Sequence, residues 1–534
     1  MSGPRPLTRL RLAPDLIVAL ALAVLTVAVF APALGHGWVD YDDDQNFLRN
    51  PHYRGLGAAQ LRWMLTAVIM GHWTPLTWLT HGLDYTLWGM EPGGYHLGNL
   101  IIHAGNAALF YALARRLLGA ALPGAAPMAL RLGAAAAALL FALHPLRVES
   151  VAWITERRDV LAALFYLLTV LTWLRACASE GAARGWYVGS LTLFALGLLS
   201  KSMLVSLPAV LLVLDVYPLR RLDLRAWRSP AARAVLLEKA PYLALAVATV
   251  AITTVTMSAS VRVTSLALYP PAARLAIAAY GLVFYPWKTL VPLDLKPMYE
   301  MPARVSLLEP PFLVAALVVS AITLALVAAR RRWPAGLAVW LAYAVTLAPV
   351  SGLIHAGPQL VADRFAYLPS LGLCLLFGAG VAVSVRRSTL ARLVPLAAAA
   401  WIASLAALTW SQVQIWRDTD TLFVYTLAVD PDCGWCHAQY GGALGNRGDL
   451  AGAIPHLQRA AALRPHRVRD QAHAGLALLR AGRAADALPY LERAVAAQPD
   501  NVEARSNLGL ALTEVGRAAE AAPHLERAGA RPPR

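Results

Sequence analysis

Long apolar stretches separated by short polar loops recur along the chain as far as Trp410. A helix that crosses a bilayer requires about 20 consecutive apolar residues, so the pattern predicts a multispan membrane protein. The first stretch continues into a charged loop without a small-residue cleavage site, which favours a retained anchor over a signal peptide. We predict eleven spans, at residues 16–34, 97–113, 128–143, 160–174, 186–199, 203–216, 242–257, 311–329, 335–350, 368–385 and 393–410.

The distribution of basic residues orients these spans. Arg5, Arg9 and Arg11 precede the first span without an opposing acid, so the positive-inside rule places the N-terminus in the cytoplasm. A further apolar run at residues 272–291 would place the basic loop at 330–332 outside if it crossed. We therefore predict that this run is an interfacial or re-entrant helix broken by Pro286, and that the C-terminus lies outside.

Residues 35–94 form the first and largest outer loop of this prediction. Trp63, Trp73, Trp78 and Trp88 are spaced as in one or two helices that lie in the membrane interface. Residues 1–416 then form the membrane domain.

A repeat of 34 residues begins after the last span. Gly448, Gly482 and Gly516 keep this spacing, as do Pro465, Pro499 and Pro533 and several alanines and leucines. The period and the residue types predict a tetratricopeptide array, in which small residues let two helices cross closely. The predicted domain covers 417–534, with a half-repeat at 417–433 and repeats at 434–467, 468–501 and 502–534.

Composition agrees with a membrane protein, at 58% hydrophobic residues and a mean hydropathy of +0.52. The net charge of +16 could indicate a nucleic-acid partner, but from Arg417 onward 14 arginines face 13 acids. The excess positive charge therefore belongs to the short loops between spans, where it sets orientation, and we expect no nucleic-acid partner.

An acidic segment, Asp40 and Asp42 to Asp44, directly follows the first span. Carboxylates at a membrane boundary are costly and suit two tasks, holding a divalent cation or taking a proton from a hydroxyl. An EF-hand loop is excluded, because Gln45 and Pro51 stand where that loop needs Gly and Glu. A solvated acidic loop without a function remains the alternative.

Further polar groups fall on the same predicted face as Asp42. They are the run 144–159, Lys201, Lys288, Lys296 and the loop 361–369. Groups of both signs that are separate in sequence but gathered by topology are typical of an active site at a membrane face. For any single arginine, a structural salt bridge is as good an interpretation as phosphate binding.

Cys433 and Cys436, followed by His437, have the spacing of a c-type haem attachment site. They stand where the first repeat helix should begin, and a repeat hairpin offers no haem pocket. A local disulfide and two unmodified cysteines are the alternatives, and we favour the unmodified cysteines.

The chain carries a set of short polar motifs in a fixed order. They are 41–44, 71–77, Asn99 with His103 and Asn106, 144–159, 199–203, 292–295 with Tyr299, and 362–369. Taken together, these motifs resemble the bacterial relatives of the transmembrane and tetratricopeptide-containing O-mannosyltransferases, a branch of the GT-C glycosyltransferases. Residue 74 is Thr where His is expected in this family, so no role of a histidine is carried over at that position.

The resemblance implies an all-α fold, with a polytopic GT-C-type helix bundle followed by the repeats. It implies an inverting transfer of mannose or another hexose from a polyprenyl-phosphate donor to a hydroxyl, of Ser or Thr in a protein bound by the repeats. The site would lie on the periplasmic face of the bacterial inner membrane.

The resemblance also maps an acidic pair onto Asp42 and Asp43. Inverting transfer needs a base for the hydroxyl and cations for the leaving phosphate. We assign the base to Asp42, with Asp43 as the alternative, and a divalent cation, if one binds, to Asp42, Asp43 and Asp44. The candidates for the phosphate are Arg158, Lys201 and Arg364, followed by His144 and Lys288, and the further site candidates are Asp44, His72, Glu149, Glu156, Arg157, Asp363 and Tyr367.

The alternative function is non-enzymatic. A membrane scaffold or a lipid-linked-sugar transporter could use the repeats to recruit partners.

Overall fold

A computed structural model describes residues 12–179, 181–259, 268–354, 357–385 and 393–529. Arg5, Arg9, Arg11 and Pro533 lie outside these residues.

The chain divides into two units. The repeat unit contains Val39–Tyr41, Lys296–Met301 and the chain from Asp418, and the membrane unit contains the rest. The two short internal segments were predicted to belong to the membrane domain, and the structure assigns them to the repeats.

Among its described residues, the membrane unit consists of helices and one strand of three residues, Gln359–Val361. Two of its helices, Ala58–Thr66 and Pro75–Trp88, lie in the first loop. The α-helices are α1 (Leu12–Phe30), α2 (Ala58–Thr66), α3 (Pro75–Trp88), α4 (Pro92–Ala121), α5 (Pro127–Ala142), α6 (Val148–Ala152), α7 (Arg157–Ala178), α8 (Ala183–Leu198), α9 (Leu207–Val216), α10 (Pro230–Leu237), α11 (Ala240–Ala259), α12 (Pro271–Leu290), α13 (Pro310–Ala329), α14 (Pro334–Leu347), α15 (Ser370–Ser384) and α16 (Leu393–Gln414), and the strands of the chain are β1 (Tyr299–Glu300, in the repeat unit) and β2 (Gln359–Val361).

Six of the described helical segments are long and apolar enough to cross a membrane, and a bent pair would make a seventh. The bend of 57° separates Pro127–Ala142 from Pro145–Ala152. The protein is thus a multi-pass membrane protein. Every predicted span falls on a helix, but four of the eleven fall on helical segments of 15 to 17 residues, so the count of eleven stays a prediction. The six are Pro14–Gly35, Pro92–Ala121, Ile154–Ala178, Pro230–Ser258, Pro310–Ala329 and Leu393–Gln414.

The prediction that Pro286 breaks its helix is wrong. Helix α12 runs without a break through Pro286 and is not among the six long apolar segments. Proline has no N–H, so the carbonyl of Leu282, four residues earlier, loses its helical partner. The Tyr343 hydroxyl donates to this carbonyl at 3.1 Å and also lies 3.3 Å from the carbonyl of Gly281. A side chain from α14 thus replaces the missing donor and lets the helix continue.

Small residues let the helices of the bundle approach closely. Gly133 of α5 faces Gly378 of α15, and a Cβ added at Gly133 would lie 2.5 Å from the Gly378 carbonyl oxygen. Such glycine contacts are typical of helix pairs in membranes, where close packing rather than water exclusion drives association.

The first loop packs as a folded layer around buried aromatic residues. A π-helical turn, Asp44–Leu48, supplies Phe47, which packs with Tyr53, Trp78 and Tyr95. Trp78 is 5% exposed and Trp88 is 47% exposed. Both tryptophans were predicted to lie in the membrane interface. Trp78 is instead a core residue of the first loop, whereas Trp88 is exposed.

The repeat unit stacks three helical hairpins after a single helix. Gly448, Gly482 and Gly516 all have positive φ at the hairpin turns, a conformation that glycine adopts at little cost. The prediction of unmodified cysteines is wrong, because Cys433 and Cys436 form a disulfide. The helices are α17 (Thr419–Val429), α18 (Gly434–Asn446), α19 (Leu450–Leu463), α20 (Val468–Arg480), α21 (Ala484–Ala497), α22 (Val502–Glu514) and α23 (Ala518–Arg527).

Candidate active site

The candidate site is built around the break between α5 and α7. Pro145 cannot continue α5, because its ring and missing N–H are incompatible with a helix interior. His144 instead caps a short 3₁₀ turn, its Nδ1 accepting from the Leu146 N–H at 3.1 Å. The one-turn helix α6 and a second 3₁₀ turn, Ile154–Glu156, then lead into α7. Three polar turns are therefore buried where a straight span would place apolar residues.

Six charged side chains form one connected group, which we call the ion-pair cluster: Glu149, Glu156, Asp159, Arg158, Lys201 and Arg364. Glu156 lies at its centre and accepts from Arg158 Nη2 at 2.5 Å and from Lys201 Nζ at 3.1 Å, with Arg364 Nε 3.4 Å away. Lys201 also contacts Asp159 at 2.5 Å, and Arg364 pairs with Glu149 through its guanidinium and its backbone N–H. The three main phosphate candidates thus converge on one carboxylate.

The two signs of the ion-pair cluster differ in exposure. The side chains of Glu149, Glu156 and Asp159 are 0–3% exposed, whereas those of Arg158, Lys201 and Arg364 are 10–18% exposed. Toward the residues that the structure describes, Lys201 uses two of its three donors, and Arg158 donates from Nε and Nη2 only. The carboxylates therefore fix the cations from behind, and at least two of the cations keep donors for an anion that approaches from the open side.

Asp43 is tied to the same region through Trp153. Asp43 is 1% exposed, and its Oδ1 accepts from Trp153 Nε1 at 3.1 Å and from Thr155 Oγ1 at 2.7 Å. The Arg364 guanidinium lies over the Trp153 ring, 5.6 Å from its centroid. Asp43 therefore accepts two hydrogen bonds that hold the second 3₁₀ turn in place. Asp42 is half-buried at the entrance to the π-helical turn, where its carbonyl accepts from Asn46 N–H at 3.0 Å.

Segment 71–77, which contains His72, is hydrogen-bonded to the turn that precedes Lys201. The Leu76 N–H donates to the Leu199 carbonyl at 3.1 Å, and the Thr77 hydroxyl donates to the Ser200 carbonyl at 3.0 Å. His72 itself is half-buried and pairs with Ile69 through the backbone. Two motifs more than 120 residues apart are thus adjacent.

Arg157 lies outside the ion-pair cluster although it precedes Arg158. It is 1% exposed, pairs with Asp84, and donates to Asn99 Oδ1 at 2.6 Å and to the Tyr95 carbonyl at 2.5 Å. His81 lies 3.8 Å from Asp84, and burial lowers its pKa to about 4, so this imidazole is neutral at pH 7. Arg157 joins the first loop to α4 and has a structural role.

The remaining candidates are occupied in other ways. His144 uses both ring nitrogens, since Nε2 lies 3.0 Å from the Thr289 carbonyl, which leaves no nitrogen for a phosphate. Lys288 donates to the Leu293 carbonyl and is not bonded to the ion-pair cluster. Asp363 is buried at the start of the turn that presents Arg364, and the Tyr367 hydroxyl lies 2.6 Å from His103 Nδ1.

Asp42, Asp43 and Asp44 do not gather as a metal site. Among the residues that the structure describes, no three His, Cys, Asp or Glu side chains come together to hold a metal ion. Asp44 instead faces Arg49 at 3.7 Å. Asp43 and Asp44 have different partners because successive side chains of a turn cannot share one direction.

Trp153 and Thr155 were not among the predicted site residues. Both lie within the predicted polar run, but neither is ionisable. A buried carboxylate such as Asp43 requires hydrogen-bond donors. Its donors, Trp153 and Thr155, are more than 100 residues away, so no local sequence pattern indicates them.

Comparisons with known proteins agree with this organisation. Residues 473–534 match the family model of the tetratricopeptide repeat. The human protein O-mannosyl-transferase TMTC2 is 35% identical over 154 residues, which cover 28% of this chain and 17% of that protein. The protein O-mannosyl-transferase Tmtc2 of Drosophila melanogaster is 32% identical over 206 residues, 36% of this chain and 21% of the relative.

Over these stretches the chain is similar to the TMTC protein O-mannosyl-transferases. The predicted resemblance and the all-helical fold with tetratricopeptide repeats are confirmed. The match spans about a fifth of the length of these curated relatives. The crystal structure of the MamA protein is 24% identical with a TM-score of 0.19, covering 20% of this chain and 58% of that one.

Proposed function

We propose that this protein is a membrane glycosyltransferase that moves a hexose, in the first place mannose, from a polyprenyl-phosphate donor to a protein hydroxyl. The single observation that carries the proposal is the convergence of Arg158, Lys201 and Arg364 on Glu156. The names of the relatives, which are protein O-mannosyl-transferases, supply the sugar and the acceptor class.

The ion-pair cluster suits the leaving group of this reaction. As the bond between the sugar C1 and the phosphate oxygen breaks, the lipid phosphate takes up the electron pair and its negative charge grows. Cations held in place beforehand stabilise that charge without reorganising. The first turn of α7 contributes in the same direction, since N-terminal N–H groups favour anions.

Asp42 suits the acceptor hydroxyl. The acceptor oxygen attacks C1 from the face opposite the phosphate, and its proton passes to a carboxylate. Asp43 is the weaker candidate, because the Trp153 indole and the Thr155 hydroxyl already donate to its Oδ1. We assign Asp42 as the base and Asp43 as a positioning residue for the turn of Trp153 and Thr155.

The repeats suit the acceptor protein. Stacked helical hairpins form an extended groove, which fits a peptide and carries nearly balanced charge in this chain. We place the site on the periplasmic face of the bacterial inner membrane.

The test is transfer of labelled mannose from polyprenyl-phosphate mannose to Ser/Thr peptides by the purified full-length protein. Asp42→Asn should reduce turnover by roughly 10²–10⁴-fold. Glu91→Gln is the matched control, because it also neutralises a carboxylate of the first loop, one that is exposed. No transfer by the wild-type protein, with lipid-linked sugar crossing vesicles instead, would support the transporter and overturn the proposal.

A further inference from the structure

An arginine-lined pocket lies at the end of the membrane unit where α9 and α13 stop. Its volume is about 570 Å³, in the range that holds a small ligand. Of the eight described residues that line it, four are arginines and one is an aspartate. The lining residues are Val216, Arg220, Leu222, Asp223, Leu224, Arg225, Arg330 and Arg331.

The pocket arginines differ from their basic neighbours in having no carboxylate partner. Within the described part of the chain, none of the four pocket arginines forms an ion pair. In contrast, Arg221 pairs with Asp215 at 2.7 Å and with Glu238 at 2.8 Å, and Lys239 pairs with Asp215 at 2.7 Å. Local acids therefore neutralise the adjacent bases and leave the pocket positive.

The wall of the pocket is firmly held. Leu222 is buried against Ala232 and Val235 of α10. The backbone N–H groups of Arg221 and Leu222 both donate to the Asp215 carbonyl, at 2.8 and 3.2 Å. This folds the loop back on the end of α9, so the pocket is already formed before a ligand arrives.

The pocket is far from the ion-pair cluster. Lys201 precedes the first residue of the helical segment Ser202–Val216, and Val216 is its last. Five 3₁₀ residues at about 2 Å and ten α-helical residues at about 1.5 Å per residue separate the two ends by about 25 Å. The pocket therefore lies toward the opposite membrane surface, which the positive-inside rule assigns to the cytoplasm.

We infer that this pocket binds the phosphate of an anionic phospholipid head group. Guanidinium groups match phosphate oxygens bidentately, and basic pockets at the cytoplasmic ends of spans attract anionic head groups. Trp227 and Trp333, 54% and 51% exposed, are close in sequence to the pocket residues, and tryptophan prefers the depth of the head groups. Free phosphate or pyrophosphate shares this chemistry and is the competing source.

The test uses full-length protein in nanodiscs of phosphatidylcholine with added phosphatidylglycerol, followed by native mass spectrometry of the lipids that stay bound. The double variant Arg220→Gln/Arg331→Gln should bind phosphatidylglycerol roughly tenfold or more weakly. The matched control is Arg233→Gln/Arg332→Gln, which removes the same charge from exposed arginines next to the pocket that do not line it.

Thermal unfolding with added lipid or added pyrophosphate gives a second measurement. We expect phosphatidylglycerol to raise the melting temperature of the wild type and of the control, and to raise that of the pocket variant much less. Equal lipid retention in the two double variants would overturn the inference. Stabilisation by pyrophosphate but not by phosphatidylglycerol would also overturn it and assign the pocket to a soluble phosphate.

Discussion

Arg157 and Arg158 are adjacent in sequence and differ in environment. Arg157 is enclosed by Asp84, Asn99 and the Tyr95 carbonyl, and a Cβ on Gly98 would come within 2.5 Å of its guanidinium. Arg158 is partly exposed and shares its carboxylate with two other cations. The first residue therefore stabilises the fold, and the second is available to a ligand.

We predict that Arg157→Gln lowers the melting temperature of the purified protein far more than Arg158→Gln does. Removing Arg157 leaves Asp84 buried without its partner, which costs about 3–5 kcal/mol. Thermal unfolding followed by tryptophan fluorescence in detergent measures both variants. Similar losses in the two would contradict the structural role of Arg157.

For single residues, the sequence indicated which charged side chains lie in the site better than it indicated what each one does there. The predicted topology placed Arg158, Lys201 and Arg364 on one face, and in the structure all three approach Glu156. The difference between Arg157 and Arg158 could not be predicted, since Asp84 is 73 residues away and lies on a helix of the first loop. His144 was also assigned to the phosphate, and only the structure shows both of its nitrogens occupied by backbone groups.

Among the elements, α12 depends on a hydroxyl from another helix. Tyr343→Phe removes the donor to the Leu282 carbonyl and should destabilise the protein by about 1–3 kcal/mol. Pro286→Ala returns the backbone N–H, so in that background the loss of the hydroxyl should matter less. A double-mutant cycle of thermal stabilities measures the coupling, and additive effects of the two changes would contradict the account.

The repeat unit holds two segments that come from the first loop and from the region after α12. Glu300 accepts from the Trp435 N–H at 3.1 Å and pairs with Arg464 at 3.2 Å, and Lys296 pairs with Asp430 at 2.5 Å. The Tyr41 hydroxyl donates to the Pro297 carbonyl at 2.8 Å. The residue that precedes Asp42 is therefore part of the repeat unit.

Glu300→Gln should loosen the 296–301 segment, because it weakens both contacts of this carboxylate. Hydrogen exchange of peptides covering that segment should become faster. Arg459→Gln is the control, since it removes an exposed pair with Asp432, in which the two side chains are 50% and 73% exposed. Exchange as slow as in the wild type would show that Glu300 does not hold the segment.

Helices whose sequence signals lie within the helix or its hairpin were predicted well, and features that depend on distant residues were not. The 34-residue period placed the repeat helices, since small residues and turn glycines recur within each hairpin. Pro286 was interpreted by its local effect, and the compensating Tyr343 lies 57 residues away. The membership of Val39–Tyr41 in the repeat unit depends on contacts with residues far along the chain, which no local pattern reports.

For the whole molecule, orientation follows from the number of spans. If α12 stays outside, eleven spans carry the chain from a cytoplasmic start to periplasmic repeats. A reporter that is active only in the cytoplasm, fused after Arg534, should then be silent. Activity of this reporter would mean that the span count is even and that α12 crosses the membrane.

In the proposed function, the ion-pair cluster binds the phosphate of a lipid-linked sugar. The most direct test of this claim is equilibrium binding of a labelled polyprenyl-phosphate mannose to the purified full-length protein. Arg364→Lys is the informative variant, because it keeps a cation beside Glu149 but loses bidentate contact with phosphate. Arg62→Gln is the control, an exposed arginine of the first loop.

We expect Arg158→Gln and Arg364→Lys each to weaken donor binding by roughly 10–100-fold, as for the loss of a charge-assisted hydrogen bond, and Arg62→Gln to leave it unchanged. Donor affinity equal to the wild type in folded Arg158→Gln and Arg364→Lys proteins would contradict the claim.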